Sequence, residues 1–230
     1  MEDKISESEE LTYPSFHKHS THILSGTTGS GKTSWIFRFL RHRADMFTSP
    51  PPDKIIYFYS VWQDLYSDME NEFSHSIQFK RGVPSEGDLE KYSNKGKKQI
   101  IIILDDLMDS ITKDSSMETL FTRGAHHLNI TVFYINQNMF SQGRTSRTIN
   151  LNTHVYIFFM NPRDNTQVRT LSRQVFPNTP KFLSSAYDDV MKTPYSYLIL
   201  DLSPKTHADL RVRTNIFPGE QMTIYRPITP

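Results

Sequence analysis

Residues 26–34 read Gly26-Thr27-Thr28-Gly29-Ser30-Gly31-Lys32-Thr33-Ser34 and contain the pattern G-x-x-x-x-G-K-[ST]. The glycines carry no Cβ atoms, so the backbone can curl and point its N–H groups at phosphate oxygens. In a loop of this kind the Lys32 ammonium lies near the β- and γ-phosphates, and the Thr33 hydroxyl can ligate Mg²⁺. The pattern therefore predicts that these nine residues bind a nucleoside triphosphate, which we take to be ATP, together with Mg²⁺.

The flanks of this loop supply the strand and the helix that the pattern requires. Residues 21–25 are short and partly apolar, as a strand is, and Trp35, Ile36, Phe39 and Leu40 follow at helical spacing. The alternative is a chance Gly/Ser-rich turn ahead of a helix. The full pattern in its expected context favours the phosphate-binding interpretation.

Short apolar runs alternate with helical patterns along the whole chain. The apolar runs are 21–25, 54–60, 99–104, 131–135, 154–160 and 195–202, and an alternating run at 210–217 predicts an edge strand. The helical patterns are at 32–45, 61–72, 84–93, 114–128 and 163–176. The central runs are apolar on both faces, which is typical of strands that helices cover on both sides. We therefore expect an α/β fold with three layers and a mainly parallel central sheet.

A hydrophobic run at 100–104 (IIIIL) ends in Asp105 and Asp106. An apolar strand of this type delivers its terminal carboxylates to the carboxyl edge of the sheet, where ligands bind in open α/β folds. We assign Asp105 to the support of Mg²⁺ and Asp106 to activation of the attacking water. The alternative is that the two acids begin a solvated turn, but the upstream loop makes the catalytic interpretation the more specific one.

Three amides, Asn136, Gln137 and Asn138, follow the run at 131–135. An amide at the tip of a strand next to the acidic one can contact the γ-phosphate or the attacking water. Gln137 is the first choice for this catalytic role, with Asn136 and Asn138 behind it. Ordinary turn chemistry is the alternative, because Asn is common in turns.

Arginine residues form a further set of candidates, because an arginine finger can stabilise the charge of the transferring phosphoryl group. The candidates are Arg123, Arg144, Arg147 and Arg163, and Arg123 could face an adjacent subunit. Residues 141–173 hold five Arg, one Asp and no Lys, so some of them could also contact DNA phosphates. A solvated side chain or a surface ion pair is the alternative for each arginine.

The composition limits the class of protein further. The chain has 230 residues, a formal net charge of +1 and no cysteine, which excludes disulfides and thiolate metal sites. No apolar run approaches the ~20 residues that span a bilayer, so we expect a soluble, intracellular protein with no membrane partner. The expected organisation is a flexible acidic tail at 1–15, an ATPase domain at 16–220 and a C-terminal tail at 221–230.

Several segments together resemble the FtsK–HerA class of DNA-pumping ATPases, in particular the packaging ATPases of Polinton/Maverick elements, adintoviruses and related double-stranded DNA viruses. Beside GTTGSGKT, the segments are IIIILDDLMD at 100–109, FTRGAHHLNITVFYINQNMF at 121–140, SRTINLNTHVYIFFMNPRD at 146–164, LSRQVFP at 171–177 and LRVRTNIFPGE at 210–220. The similarity covers residues 17 to 220. The wider class usually ends its acidic strand in Asp-Glu, whereas this chain has Asp105 and Asp106, and Asp is one methylene shorter than Glu.

The resemblance implies a RecA-like core that forms a homo-oligomeric ring, a hexamer or pentamer, around double-stranded DNA. ATP hydrolysis would move the DNA into a capsid, with a capsid or portal-vertex protein as a partner, in the host nucleus or cytoplasm or in association with the virion. By the same resemblance Arg123 matches the finger-bearing helix and Gln137 the polar sensor. Two other hypotheses remain: a phosphoryl-transfer kinase for a small acceptor, and a nucleotide-gated module of capsid assembly.

Overall fold

The computed structural model describes residues 16–47, 52, 54–107, 115–139 and 144–228. Its strands are β1 (Thr21–Ser25), β2 (Lys54–Tyr59), β3 (Ile77–Arg81), β4 (Ile100–Asp105), β5 (Ile130–Asn136), β6 (Val155–Phe159), β7 (Tyr197–Asp201), β8 (Val212–Thr214) and β9 (Thr223–Tyr225). They form one sheet in the order β3-β2-β4-β5-β1-β6-β7-β8-β9. The strands from β1 to β6 run parallel, whereas β7, β8 and β9 pair antiparallel.

Helices cover both faces of the sheet. They are α1 (Lys32–Arg41), α2 (Arg43–Met46), α3 (Asp64–Glu72), α4 (Glu86–Tyr92), α5 (Ser115–Thr119), α6 (Ala125–His127), α7 (Arg144–Leu151), α8 (Thr166–Val175) and α9 (Phe182–Val190). A π-helical segment, Leu120–Gly124, joins α5 to α6, and a 3₁₀ turn, Ala208–Leu210, precedes β8. No helix in the described ranges is long and apolar enough to cross a membrane.

Two hydrophobic clusters, one on each face of the sheet, form the core. Strand β4 contributes to both, because Ile101 and Ile103 belong to one cluster while Ile100, Ile102 and Leu104 belong to the other. Helices α1 and α3 pack on the first face, and α4, α5, α7, α8 and α9 on the second. This arrangement confirms the expected α/β fold of three layers with a mainly parallel sheet, and it explains why β4 carries apolar side chains on both faces.

The return of the chain between β6 and β7 decides which loops lie beside the phosphate-binding loop. Two helices, α8 and α9, connect the two strands, so the chain comes back to the edge where β6 ended and β7 runs antiparallel to it. The residues just before β7 therefore lie at the carboxyl edge of the parallel strands. The residues just after β7 lie at the amino edge.

Some expected elements differ from the structure. The run at 210–217 was expected to be an edge strand, but only Val212–Thr214 is a strand and it lies between β7 and β9. The edge strand on this side of the sheet is β9, which falls within the range expected to be a C-terminal tail. Strand β3 and helices α7 and α9 were not predicted. The expected tail at 1–15 lies outside the described residues.

Candidate nucleotide-binding site

Two glycines fix the path of the loop between β1 and α1. A Cβ atom at Gly26 would lie 2.7 Å from the Cβ atom of Phe159 and 2.9 Å from Ser30 Oγ, so no larger residue fits there. Gly31 has a φ of +100° and directly precedes α1. The loop therefore leads straight into a helix N-terminus, where free backbone N–H groups and the helix dipole favour an anion.

The Lys32 side chain is buried under this loop. Its Nζ atom donates hydrogen bonds to the carbonyl oxygens of Gly26 (2.7 Å) and Thr27 (2.8 Å). Burial lowers the pKa of Lys32 from its usual value, while the nearby Asp105 and Asp106 carboxylates oppose that shift. The ammonium is thus held between the loop and the acidic end of β4.

Asp105 is the last residue of β4, and its carboxylate is buried. Its Oδ2 atom accepts hydrogen bonds from the hydroxyls of Tyr57 (2.6 Å), Tyr66 (2.8 Å) and Thr33 (3.4 Å). Burial raises the pKa of Asp105, and the two tyrosine hydroxyls oppose the shift because they stabilise the carboxylate. Since Mg²⁺ prefers hydroxyl and carboxylate oxygens as ligands, the pair formed by Thr33 and Asp105 fits this ion.

The amides at the end of β5 occupy three different environments. Asn136 is buried, and its Oδ1 atom has no hydrogen-bond partner among the described residues. Gln137 is exposed, and both residues line the same cavity as Lys32. Asn138 is not part of that lining, and its Oδ1 atom accepts a hydrogen bond from Gln167 Nε2 at 2.7 Å. Asn136 is therefore placed at least as well as Gln137 to receive a polar ligand atom.

A cavity of about 500 Å³ contains these groups at the carboxyl edge of the sheet. Both acids of β4 reach it, although Asp106 is exposed and has a φ of +52°. The predicted residues that line it are Thr28, Gly29, Gly31, Lys32, Thr33, Ser34, Asp105, Asp106 and Gln137. Gly26, Thr27 and Ser30 shape the loop behind them. The structure therefore brings the phosphate-binding loop, both acids and the preferred amide together in one site.

Aromatic side chains that the sequence interpretation did not assign form another wall of the cavity. They are Trp35, Tyr195, Tyr197 and Phe217. Tyr195 is 75% exposed and has a φ of +59°, and its ring would be 3.6 Å from a Cβ atom at Gly31. No sequence signal marks Tyr195, because its position depends on the antiparallel return of the chain to β7.

The candidate arginines lie away from this cavity. Arg123, Arg144, Arg147 and Arg163 are all exposed, and none of them lines it. Arg123 lies in the π-helical segment that precedes α6. Helix α6 in turn ends just before the amino end of β5. Among the described residues no group of three or more His, Asp or Glu side chains could hold a metal ion.

Two viral ATPases of known structure share this fold. The genome packaging NTPase B204 from Sulfolobus turreted icosahedral virus 2, in complex with sulfate, is 14% identical and has a TM-score of 0.53 over 91% of this chain and 97% of that one. The DNA-packaging ATPase B204 from Sulfolobus Turreted Icosahedral Virus is 13% identical and has a TM-score of 0.54 over 94% and 100%. At these identities the likeness establishes a shared fold, that of the P-loop NTPases.

Sequence comparison provides the family. No curated protein sequence matches this chain. A family model described as the Poxvirus A32 protein, however, matches residues 9–160, which is more than half of the chain and includes the phosphate-binding loop, the acidic end of β4 and the amides after β5. The chain therefore belongs to the Poxvirus A32 protein family.

Proposed function

We propose that this protein is an ATP-hydrolysing motor that translocates double-stranded DNA into a viral capsid. The observation that carries the proposal is the single cavity in which Lys32, Thr33, Asp105 and Asn136 converge at the carboxyl edge of a parallel sheet. Membership of the Poxvirus A32 family and a fold shared with two viral packaging ATPases support the packaging role.

Each part of the site has a distinct task in this proposal. The loop N–H groups, the α1 N-terminus and Lys32 bind the triphosphate. Thr33 and Asp105 would hold Mg²⁺, which when bound neutralises charge on the β- and γ-phosphates. Asp106 takes the proton of the attacking water, and Asn136 or Gln137 orients that water against the γ-phosphate. The reaction converts ATP and water to ADP and phosphate.

The exposed arginines support an oligomeric form of the motor. Arg123, Arg144, Arg147 and Arg163 do not line the cavity of their own subunit. We propose that an arginine from this set completes the site of a neighbouring subunit, as an arginine finger does. A homo-oligomeric ring of five or six subunits around the duplex, docked on a capsid or portal-vertex protein, is the assembly that we propose. The special closeness to packaging ATPases of Polinton elements and adintoviruses remains a prediction.

Titration of the ATPase rate with duplex DNA at several protein concentrations tests this function. We expect the rate per subunit to rise with duplex DNA and to rise with protein concentration, because the site of one subunit is completed by the next. A rate that is the same for a dilute monomer with and without DNA would contradict the motor. Release of ADP that depends instead on a small acceptor would favour a kinase.

The aromatic wall predicts how the base of the nucleotide is bound. Tyr195 is exposed and lies beside Gly31, so its ring is available to stack on a nucleobase whose phosphates occupy the loop. Stacking of a base on an aromatic side chain contributes about 1–3 kcal/mol, so Tyr195→Ala should weaken ATP binding by roughly 5- to 150-fold.

Fluorescence titration with a labelled ATP analogue measures the effect of Tyr195→Ala. Tyr195→Phe is the matched control and should bind like the parent, because it retains the ring. Inorganic triphosphate should bind equally to the parent and to Tyr195→Ala. An equal loss for ATP and for triphosphate would instead mean that the substitution had disturbed the loop.

A further inference from the structure

The amino edge of the sheet, opposite the nucleotide site, carries an unusual set of charges. The loop before β1 contains Lys18, the loop before β4 contains Lys95, Lys97 and Lys98, and the loop after β7 contains Lys205. We call these five lysines the basic edge. All except the half-buried Lys18 are exposed. None of the five forms an ion pair with a described residue.

The segments of this edge that carry the lysines hold no acidic side chain, and Asp209, further along the connection from β7 to β8, is paired with Arg226 at 3.6 Å. Segments 17–20, 93–99, 125–129, 151–154 and 202–207 hold the five lysines and six of the chain's nine histidines, but no Asp or Glu. The buried carboxylate of Asp201, at the end of β7, is already bound by Arg213 at 2.9 Å. These loops therefore carry a local excess of positive charge, although the formal net charge of the whole chain is only +1.

Direct contacts show that these loops form one surface. Gly96, between two of the lysines, has a φ of +81°, and a Cβ atom there would be 2.5 Å from the carbonyl oxygen of His127. The side-chain amide of Asn129 also donates to the carbonyl oxygen of Gly96. The loop at 95–98 is thus fixed against the end of α6.

A row of histidines extends this surface to the other lysines. The rings of His126 and His154 are 5.9 Å apart, and His154 Nδ1 lies 2.7 Å from Thr21 Oγ1 at the start of β1. Burial lowers the pKa of His19, and the positive charges of His126, Lys18 and Lys205 lower it further. These side chains are therefore electrostatic neighbours.

We infer that the basic edge binds the phosphate backbone of duplex DNA. Exposed lysines bind the phosphates of DNA through their charge, so this binding does not depend on the base sequence. A motor that moves along any DNA requires binding of this kind. The basic edge and the nucleotide cavity lie at opposite ends of the parallel strands, so the length of a strand separates the DNA-binding surface from the nucleotide. The inference rests on the proposed function, since it names the surface by which the motor holds its DNA.

Lys95→Ala/Lys97→Ala/Lys98→Ala tests the inference, because all three residues are exposed and lie outside the nucleotide site. We expect duplex DNA affinity to fall at least about tenfold at low salt, and the slope of log K against log salt to decrease by about 0.9 for each phosphate that the variant no longer neutralises. The ATPase rate without DNA should be unchanged. Fluorescence anisotropy with labelled duplexes of two unrelated sequences gives both quantities.

The matched control removes three exposed arginines from the other basic region, in Arg163→Ala/Arg169→Ala/Arg173→Ala. It should keep most of the DNA affinity. If this variant loses the affinity and the lysine variant binds like the parent, the inference is wrong while the proposed function stands. If the parent itself does not bind duplex DNA, the proposed function fails first.

Deletion of the acidic residues 1–10 gives a second test of the basic edge. The deletion should increase the DNA affinity of the parent, but it should not increase the DNA affinity of the lysine variant.

Discussion

Lys32→Ala is expected to reduce the rate of ATP hydrolysis by about 10²- to 10³-fold, the loss typical when one preorganised donor to a developing charge is removed. The Lys32 ammonium is buried between the loop carbonyls and the acids of β4, so it is already desolvated and oriented before a phosphate arrives. A charge held in this way acts with little reorganisation during the reaction.

Lys32→Arg separates the loss of charge from the loss of fit. A guanidinium keeps the positive charge, but it is wider and planar and cannot replace a compact ammonium beneath the loop. We therefore expect Lys32→Arg to be nearly as inactive as Lys32→Ala. Steady-state phosphate release, with thermal melting as a check on folding, measures both variants.

Lys181→Ala provides the control for these measurements, because Lys181 is exposed and lies outside the cavity. It should have the rate and the melting temperature of the parent. A Lys32→Ala protein that melts like the parent and retains more than about a tenth of its rate would contradict the catalytic assignment, since a tenfold change corresponds to only about 1.4 kcal/mol.

The sequence predicted the centre of the sheet because there the local pattern and the tertiary environment agree. The expected bounds of β1 match the structure, and those of β4 differ by one residue at each end, since apolar side chains on both faces leave little ambiguity. The glycines between β1 and α1 are required by close contacts and by a positive φ. These two strand ends alone bring Lys32, Thr33 and the two acids together.

Strand β3 and helix α7, two of the elements that the sequence did not predict, have little apolar periodicity. Strand β3 (IQFKR) lies at an edge and buries only Ile77 fully, so its pattern looks polar. Helix α7 (RTSRTINL) buries Ser146 and Ile149. Only Ile149 is apolar, so the sequence shows no apolar helix face there. Both elements are stabilised by contacts with neighbouring elements of the fold rather than by an apolar pattern in their own sequence.

The site residues that were missed depend on distant parts of the chain. Tyr195 reaches the phosphate-binding loop only because two helices return the chain to the carboxyl edge before β7. The sequence placed the end of strand β5 at residue 135 and gave Gln137 as the first choice among the amides, with Asn136 behind it. Strand β5 in fact includes Asn136, which is buried, and leaves Gln137 exposed.

Asp105→Asn is expected to lower the hydrolysis rate by at least about 10²-fold, because several kcal/mol of charge stabilisation through Mg²⁺ depend on this carboxylate. The asparagine is nearly the same size, so packing at the end of β4 is retained while the negative charge is removed. The apparent affinity for Mg²⁺ should fall, and a large excess of Mg²⁺ should restore part of the rate. Titration of the rate with MgCl₂ measures this directly.

Asp106→Asn is the matched comparison, and it distinguishes the two acids. Asp106 is exposed and was assigned to the water rather than to the ion, so its variant should lose rate without a change in the Mg²⁺ dependence. Equal shifts of the Mg²⁺ midpoint in both variants would contradict the assignment, and so would a normal midpoint in Asp105→Asn.

Tyr57→Phe adds a graded test of the same carboxylate. The Tyr57 hydroxyl donates to Asp105 Oδ2 at 2.6 Å and so stabilises the ionised form, which lowers the pKa of Asp105 against the upward effect of burial. Without this donor the pKa of Asp105 rises, and a smaller fraction of the carboxylate is ionised at a given acidic pH. The acid limb of the rate profile should therefore move to higher pH, while the rate on the alkaline plateau changes little. Tyr59→Phe, whose ring lies in the same aromatic cluster but whose hydroxyl does not contact Asp105, should leave the profile where it is.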